Sequence, residues 1–291
     1  FYRQMTAGQM NIVACWLVLG GLAALLRRRE GWAGALLGLG FAWKLAPALL
    51  ILVLAAIRRW RGFFAGCGVA AALWIATLPF ASLSTQRDAL AVIGQMGYGR
   101  STWAAEQRDY YRDPFNQAPN SLFHHLLTDN PYTQPWIELS PGAANGATIV
   151  FSLALAAVWI GRRRRLLDAG GEPELFLGAL LLMLLLPSLM WDHYAVQTLP
   201  ALIWIAGDRR TARSWPRVLG LAAIFAMLAW PWRHQYPVKL EGFDVLLMSF
   251  RLWPTLALYG WLMFDRPAAW AGSISLQANL PGPNAPGHSQ A

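Results

Sequence analysis

Long apolar runs broken by short arginine clusters make up most of the chain. Runs of membrane-helix character fall at about 10–27, 63–81, 146–161, 216–231 and 246–264, and each predicts one span. Two further stretches, 31–57 and 175–206, carry arginines at both ends and ionisable residues at their middles, Lys44 in the first and Asp192 and His193 in the second. As a single helix the first would be about 40 Å long, against a hydrocarbon core of about 30 Å, and Lys44 would sit near its centre. Folded as two legs meeting near Lys44 and Pro47, each leg reaches about 20 Å. Pro187 and Trp191-Asp192-His193-Tyr194 supply the equivalent turn in the second stretch.

Basic side chains prefer the cytoplasmic face, so their distribution discriminates between hairpins and single spans. With two hairpins, 15 basic residues fall inside, in the clusters around Arg28, Arg59, Arg164 and Arg209 and at Arg217 and Arg266, against 7 outside. With two single spans the ratio falls to 12 against 10. The expected fold class is therefore an all-α polytopic membrane protein, with two membrane-dipping helical hairpins and one long external loop, 83–145. Residues 1–264 form the membrane-embedded domain, and 265–291 a disordered cytoplasmic tail rich in Ser, Asn, Pro and Gly towards its end. Gly34 and Gly38, and Gly62 and Gly66, have the spacing that lets helices pack closely.

Composition agrees: 56% of the 291 residues are hydrophobic and only 13% charged, which a soluble domain does not match. The net charge of +9 is held in clusters between apolar runs rather than on one polar face, so no nucleic-acid partner is expected. Membrane lipids are. Cys15 and Cys67 lie near opposite ends of their spans, so a disulfide between them is not expected. The chain begins at Phe1, and further sequence is expected upstream.

Backbone that turns inside a membrane needs protein or water around it, because lipid cannot satisfy the freed amide groups. Two such turns imply a polar cavity faced by Lys44, Asp192 and His193, and ionisable groups at that depth are functional candidates. A fixed cation there suits a phosphate. The competing reading of Lys44 is a lysine snorkelling to outer headgroups, and of His193 an interfacial histidine bonded to Asp192 or to backbone. In the external loop, Leu122, Phe123, Leu126 and Leu127 are spaced for one face of a short helix, with Asn120 as its cap. His124 and His125 lack a partner at metal-ligand spacing and point different ways on a helix, so no metal site is expected.

Several residues together resemble glycosyltransferase family eighty-seven. They are Gly8-Gln9-Met10-Asn11 opening a helix, Gly38-Leu39-Gly40 followed by Lys44 and Pro47, Asn116-Gln117 and Asn120-Ser121-Leu122 in the loop, and Pro187 leading to Trp191-Asp192-His193. These are membrane enzymes of the GT-C class, typified by polyprenyl-phosphate-mannose-dependent alpha-1,2-mannosyltransferases. Where the family tends to have an Arg after the Asn-Ser element and a second His after Trp-Asp-His, this chain has His124 or His125, and Tyr194. The resemblance implies a GT-C-like bundle in a bacterial inner membrane that needs no cofactor. Its reaction would be inverting transfer of a hexose, mannose by analogy, from a polyprenyl-phosphate donor to a lipid or glycan hydroxyl on the external face. Lys44 would hold the donor phosphate, His193 and Asp192 would be catalytic, and Gln9, Asn11, Asn116 and Asn120 would line the sugar or acceptor site. The general-base aspartate is expected in an external loop upstream of Phe1, and the chain alone is expected to be inactive. A multi-pass transporter or flippase is the alternative, since broken helices with charged residues also build transport sites. A non-catalytic assembly subunit is a third.

Overall fold

The computed structural model describes residues 11–94, 97–98, 111–230 and 239–267. Gln9 and the tail from residue 268 lie outside the described residues, as does the side chain of Asp192. The described chain is helical: α1 (Asn11–Leu26), α2 (Glu30–Trp43), α3 (Ala48–Ala56), α4 (Trp60–Thr77), α5 (Leu83–Gly94), α6 (Pro119–Leu127), α7 (Pro141–Asp168), α8 (Glu172–Leu185), α9 (Leu199–Ala206), α10 (Arg209–Ala212), α11 (Trp215–Ala229) and α12 (Leu252–Phe264), with 3-10 turns at Asp192–Thr198 and Gly242–Ser249.

Every residue of α8 from Glu174 to Leu185 is buried, which fits a sequence apolar all the way round. Helices α1, α3, α7, α9 and α12 pack about it. Trp159 of α7 donates its indole N–H to the Leu175 carbonyl at 2.9 Å, and Tyr259 of α12 donates its hydroxyl to the Leu155 carbonyl at 2.6 Å. By contrast α4 buries only Gly62, Gly66 and Ala70, so it meets the bundle along a glycine face. The expected small-residue contact is present: a methyl group on Gly34 would overlap the Gly62 carbonyl, and one on Gly38 would stand 2.5 Å from the Gly66 oxygen.

Both stretches with arginines at each end are broken where the sequence places the break. The first divides into α2 and α3 around Lys44–Pro47, and the second into α8 and the Asp192–Thr198 turn with α9. Their ends converge on one side of the bundle. Arg59 donates to Glu30 at 2.9 Å and to Glu172 at 2.5 Å, and Arg28 lies 3.9 Å from Glu172. Trp204, near the end of α9, donates to buried Glu174 at the start of α8 at 2.9 Å. Arg210 pairs with Asp208 at 2.7 Å, and Arg217 grips Asp265 through two bonds of 2.7 and 2.8 Å. Burial alone would raise the Asp265 pKa, but the Arg217 bonds, the Arg266 N–H and the charges of Arg217 and Arg210 together hold the carboxyl below its ordinary value.

By length and apolarity alone, one described helix, α7, is long enough to cross a membrane unaided. The Gly242–Ser249 turn and α12 qualify together but meet at 68°, while α1 and α11 are apolar and shorter. The 246–264 run is thus a bent pair instead of one straight span. Inside the 83–145 segment the expected short helix is α6, and α5 is an element the apolar pattern missed. A second expectation is corrected: Asn120 does not cap α6. The capping position is Ala118, and Asn120 is the second helical residue. Pro119 occupies the first helical position, where its fixed φ and missing N–H cost nothing, so the helix starts earlier than an asparagine cap at 120 requires.

Candidate active site

The two breaks meet. At the first, Lys44 ends α2 in an extended conformation (φ −154°, ψ 129°) while its N–H still bonds the Gly40 carbonyl at 2.8 Å. Buried Pro47, with φ −59°, then starts α3. The extended residue throws the lysine side chain sideways, so that its ammonium donates to Oδ1 of Asn11, a residue buried at the start of α1. The same ammonium sits over the Tyr194 ring, 3.7 Å from its centroid, in a cation–π contact. Tyr194 belongs to the second break, and the His193 ring meets it edge-on at 4.8 Å. Lys44, Asn11, Tyr194 and His193 therefore form one cluster joining α1, the α2–α3 break and the turn after α8.

Behind the cluster a short polar frame fixes the second break. Asn116 is fully buried, donates to the Ser188 carbonyl at 3.0 Å, and accepts from the N–H of Met190 at 2.9 Å and of Ala118 at 3.1 Å. It pairs with Trp191 in an antiparallel bridge, and Gln117 N–H bonds the Met190 carbonyl at 2.6 Å. The Gln117 side chain extends the frame by donating to the Met248 carbonyl at 2.8 Å and accepting from Arg251 N–H at 2.9 Å. Asn116 thus spends its amide on holding the Trp191 turn. Asn120 faces α7, where Thr148 approaches its Oδ1 at 3.5 Å.

His124 and His125 do point different ways: His124 reaches Asn145 at 3.0 Å and packs on Tyr111, while His125 bonds the Arg112 carbonyl at 2.7 Å. Two contributors went unrecognised in the sequence, Tyr194 as the ring beneath the lysine and Gln117 as a brace. Tyr194 was signalled by its place directly after Trp-Asp-His, and Gln117 by its place beside Asn116 in the loop motif, though neither role was.

A cation held at the meeting of two helix breaks, within hydrogen-bonding and aromatic side chains, can bind an anionic group. Comparison with known proteins identifies the family. The family model described as Glycosyltransferase family 87 matches residues 1–191, ending at the Trp191 turn. The chain belongs to glycosyltransferase family 87. Among curated relatives of this family 87 chain, a polyprenol-phosphate-mannose-dependent alpha-(1-2)-phosphatidylinositol pentamannoside mannosyltransferase of Mycolicibacterium smegmatis is 26% identical over 283 residues, covering 89% of this chain and 59% of the relative. A protein of the same description from Mycobacterium tuberculosis is 26% identical over 281 residues, covering 94% and 54%. The family 87 chain spans a little over half the length of these relatives. No solved structure matches it.

Proposed function

We propose that this chain forms part of a membrane glycosyltransferase that moves a hexose, mannose by analogy with its relatives, from a polyprenyl-phosphate donor to a lipid or glycan hydroxyl on the external face of a bacterial inner membrane. The observation that carries the reading is the Lys44 cation clasped between Asn11 and Tyr194 where the two helix breaks join. Departure of polyprenyl phosphate leaves negative charge on oxygen, and a preorganised cation lowers the barrier to forming it. Lys44 meets that phosphate, and His193, with Asp192 beside it, bonds the phosphate or the sugar. Gln9, Asn11 and Asn120 supply amides to the sugar or acceptor, and Asn116 acts by holding the Trp191 turn. The acceptor hydroxyl must lose its proton to a carboxylate as it attacks; Lys44 and the 191–194 turn serve the donor side.

In this reading α2–α3 and α8–α9 enter the membrane and return, with 83–145 external, residues from 265 cytoplasmic and 1–264 one membrane-embedded domain. The ion pairs that gather Arg28, Glu30, Arg59 and Glu172 support a shared face for those ends. Single cysteines replacing Arg28, Arg59, Arg164 and Arg209, in a background without Cys15 and Cys67, should all react with an impermeant thiol reagent from the cytoplasmic side. Reaction of Arg28→Cys and Arg59→Cys from opposite sides would remove the hairpin.

Vesicles carrying the intact protein and supplied with labelled polyprenyl-phosphate mannose and a glycolipid acceptor should form a new glycosidic bond. Uptake of label without that bond would assign a transporter.

A further inference from the structure

Between the 83–145 segment and residues 241–243 the structure has a pocket that shares no residue with the donor cluster. It measures about 470 Å³ and is bounded by Gln134, Pro135, Trp136, Glu241, Gly242 and Phe243. Its two walls come from distant parts of the chain and are laced together. Gln134 N–H bonds the Leu240 carbonyl at 2.8 Å, Leu240 N–H bonds the Tyr132 carbonyl at 3.0 Å, and Lys239 pairs with Asp129 at 3.1 Å. Trp136 donates its indole N–H to the Gly242 carbonyl at 2.6 Å, and its ring meets Phe243 edge-on at 5.7 Å.

We propose that this pocket binds a sugar ring of an oligosaccharide acceptor, away from the hydroxyl that receives the new residue; the inference rests on the transferase reading above. Three observations favour a saccharide. Its lining combines aromatic faces, which take the C–H face of a pyranose, with the exposed carboxylate of Glu241 and the amide of Gln134, which take its hydroxyls. A ring held by a bond to its own chain is a fixed platform, whereas an indole anchoring in headgroups keeps its N–H for them. An exposed carboxylate in the wall is costly against lipid and suits a hydrated ligand.

The pocket is also connected to the donor cluster. The Thr133 hydroxyl bonds the His125 carbonyl at 2.9 Å and Trp136 N–H bonds the Leu126 carbonyl at 2.9 Å, which ties the pocket to α6. The segment entering α6 carries Asn116 and Gln117, which hold the Trp191 turn and the Met248–Arg251 backbone. One hydrogen-bonded frame thus runs from the donor cluster to the pocket.

Phe243→Ala is the cleanest test, because that side chain is 79% exposed and can be removed with little effect on the packed core. With a mannose tetrasaccharide glycolipid as acceptor, its KM should rise about tenfold, the effect of losing one aromatic contact of roughly 1.4 kcal/mol. The donor KM, kcat, and the KM for an acceptor with a single mannose should stay at wild-type values. Independently, a soluble mannose tetrasaccharide should give saturation-transfer NMR signals with the detergent-solubilised intact protein that Phe243→Ala and Glu241→Ala weaken. The NMR arm requires no turnover, so a protein that binds the oligosaccharide and transfers nothing refutes the transferase reading and leaves the pocket standing. Unchanged KM for the long acceptor, or an equal rise for short and long acceptors, would each overturn the proposal.

Discussion

Lys44→Ala in the intact protein should lower sugar transfer about a hundredfold while the protein still folds. Loss of one preorganised donor to developing charge typically costs about 3 kcal/mol, and each 1.4 kcal/mol or so is a factor of ten in rate. The substitution also strips the partner from Asn11 Oδ1, so a buried amide oxygen is left unsatisfied at about 1–3 kcal/mol of stability. Turnover per folded molecule, measured alongside gel filtration and circular dichroism, separates the two effects. Lys44→Arg keeps a cation over the Tyr194 ring but cannot reproduce the compact ammonium at Asn11, and should fall between wild type and alanine. A lysine that only snorkels to headgroups would give near-normal transfer in Lys44→Ala, and that result would remove it from the mechanism.

Gly34→Ala should be the most damaging single methyl in the first hairpin. The added carbon would occupy the position of the Gly62 carbonyl, and backbone on both sides leaves no flexible side chain to yield. Helices α2 and α4 must then separate, at about 3 kcal/mol, the upper part of the usual range for overpacking. The loss spreads because Arg59, at the start of α4, also binds Glu30 and Glu172, so moving α4 disturbs the foot of α8. Gly68→Ala, on the same α4, meets nothing within 4 Å and should be neutral or stabilise by up to about 1 kcal/mol through helix propensity. Thermal unfolding in detergent compares the pair, and equal midpoints would show that the close approach contributes nothing.

The positions of both breaks could be read from sequence because their causes are local. Proline at 47 and 187, and charge in the middle of apolar runs, fix where a helix stops whatever lies around it. The glycine pairs were readable for the same reason, since a four-residue spacing puts both on one face. What the pattern did not give was which surfaces meet. The contact of Lys44 with Tyr194 joins residues that no periodicity relates. The family resemblance implied a sugar contact for Asn116, while its amide is engaged by three backbone groups that only the folded chain assembles. Helix α5 escaped notice because Ser84, Thr85, Gln86, Arg87 and Asp88 interrupt any apolar stripe.

The turns at Arg28 and Arg58 carry a further consequence. Both residues adopt left-handed backbone, at φ 58° and 63°, and in both the next residue's N–H reaches back to a helix carbonyl, Ala24 and Leu54 respectively. Glycine is the usual occupant of such a position, and an arginine there costs about 1–2 kcal/mol. Swapping in glycine would therefore tighten both corners, but each exchange removes a positive charge that, in the proposed topology, marks the cytoplasmic side. Conformational ease and directional information compete at these corners, and the chain retains the strained, charged residue twice.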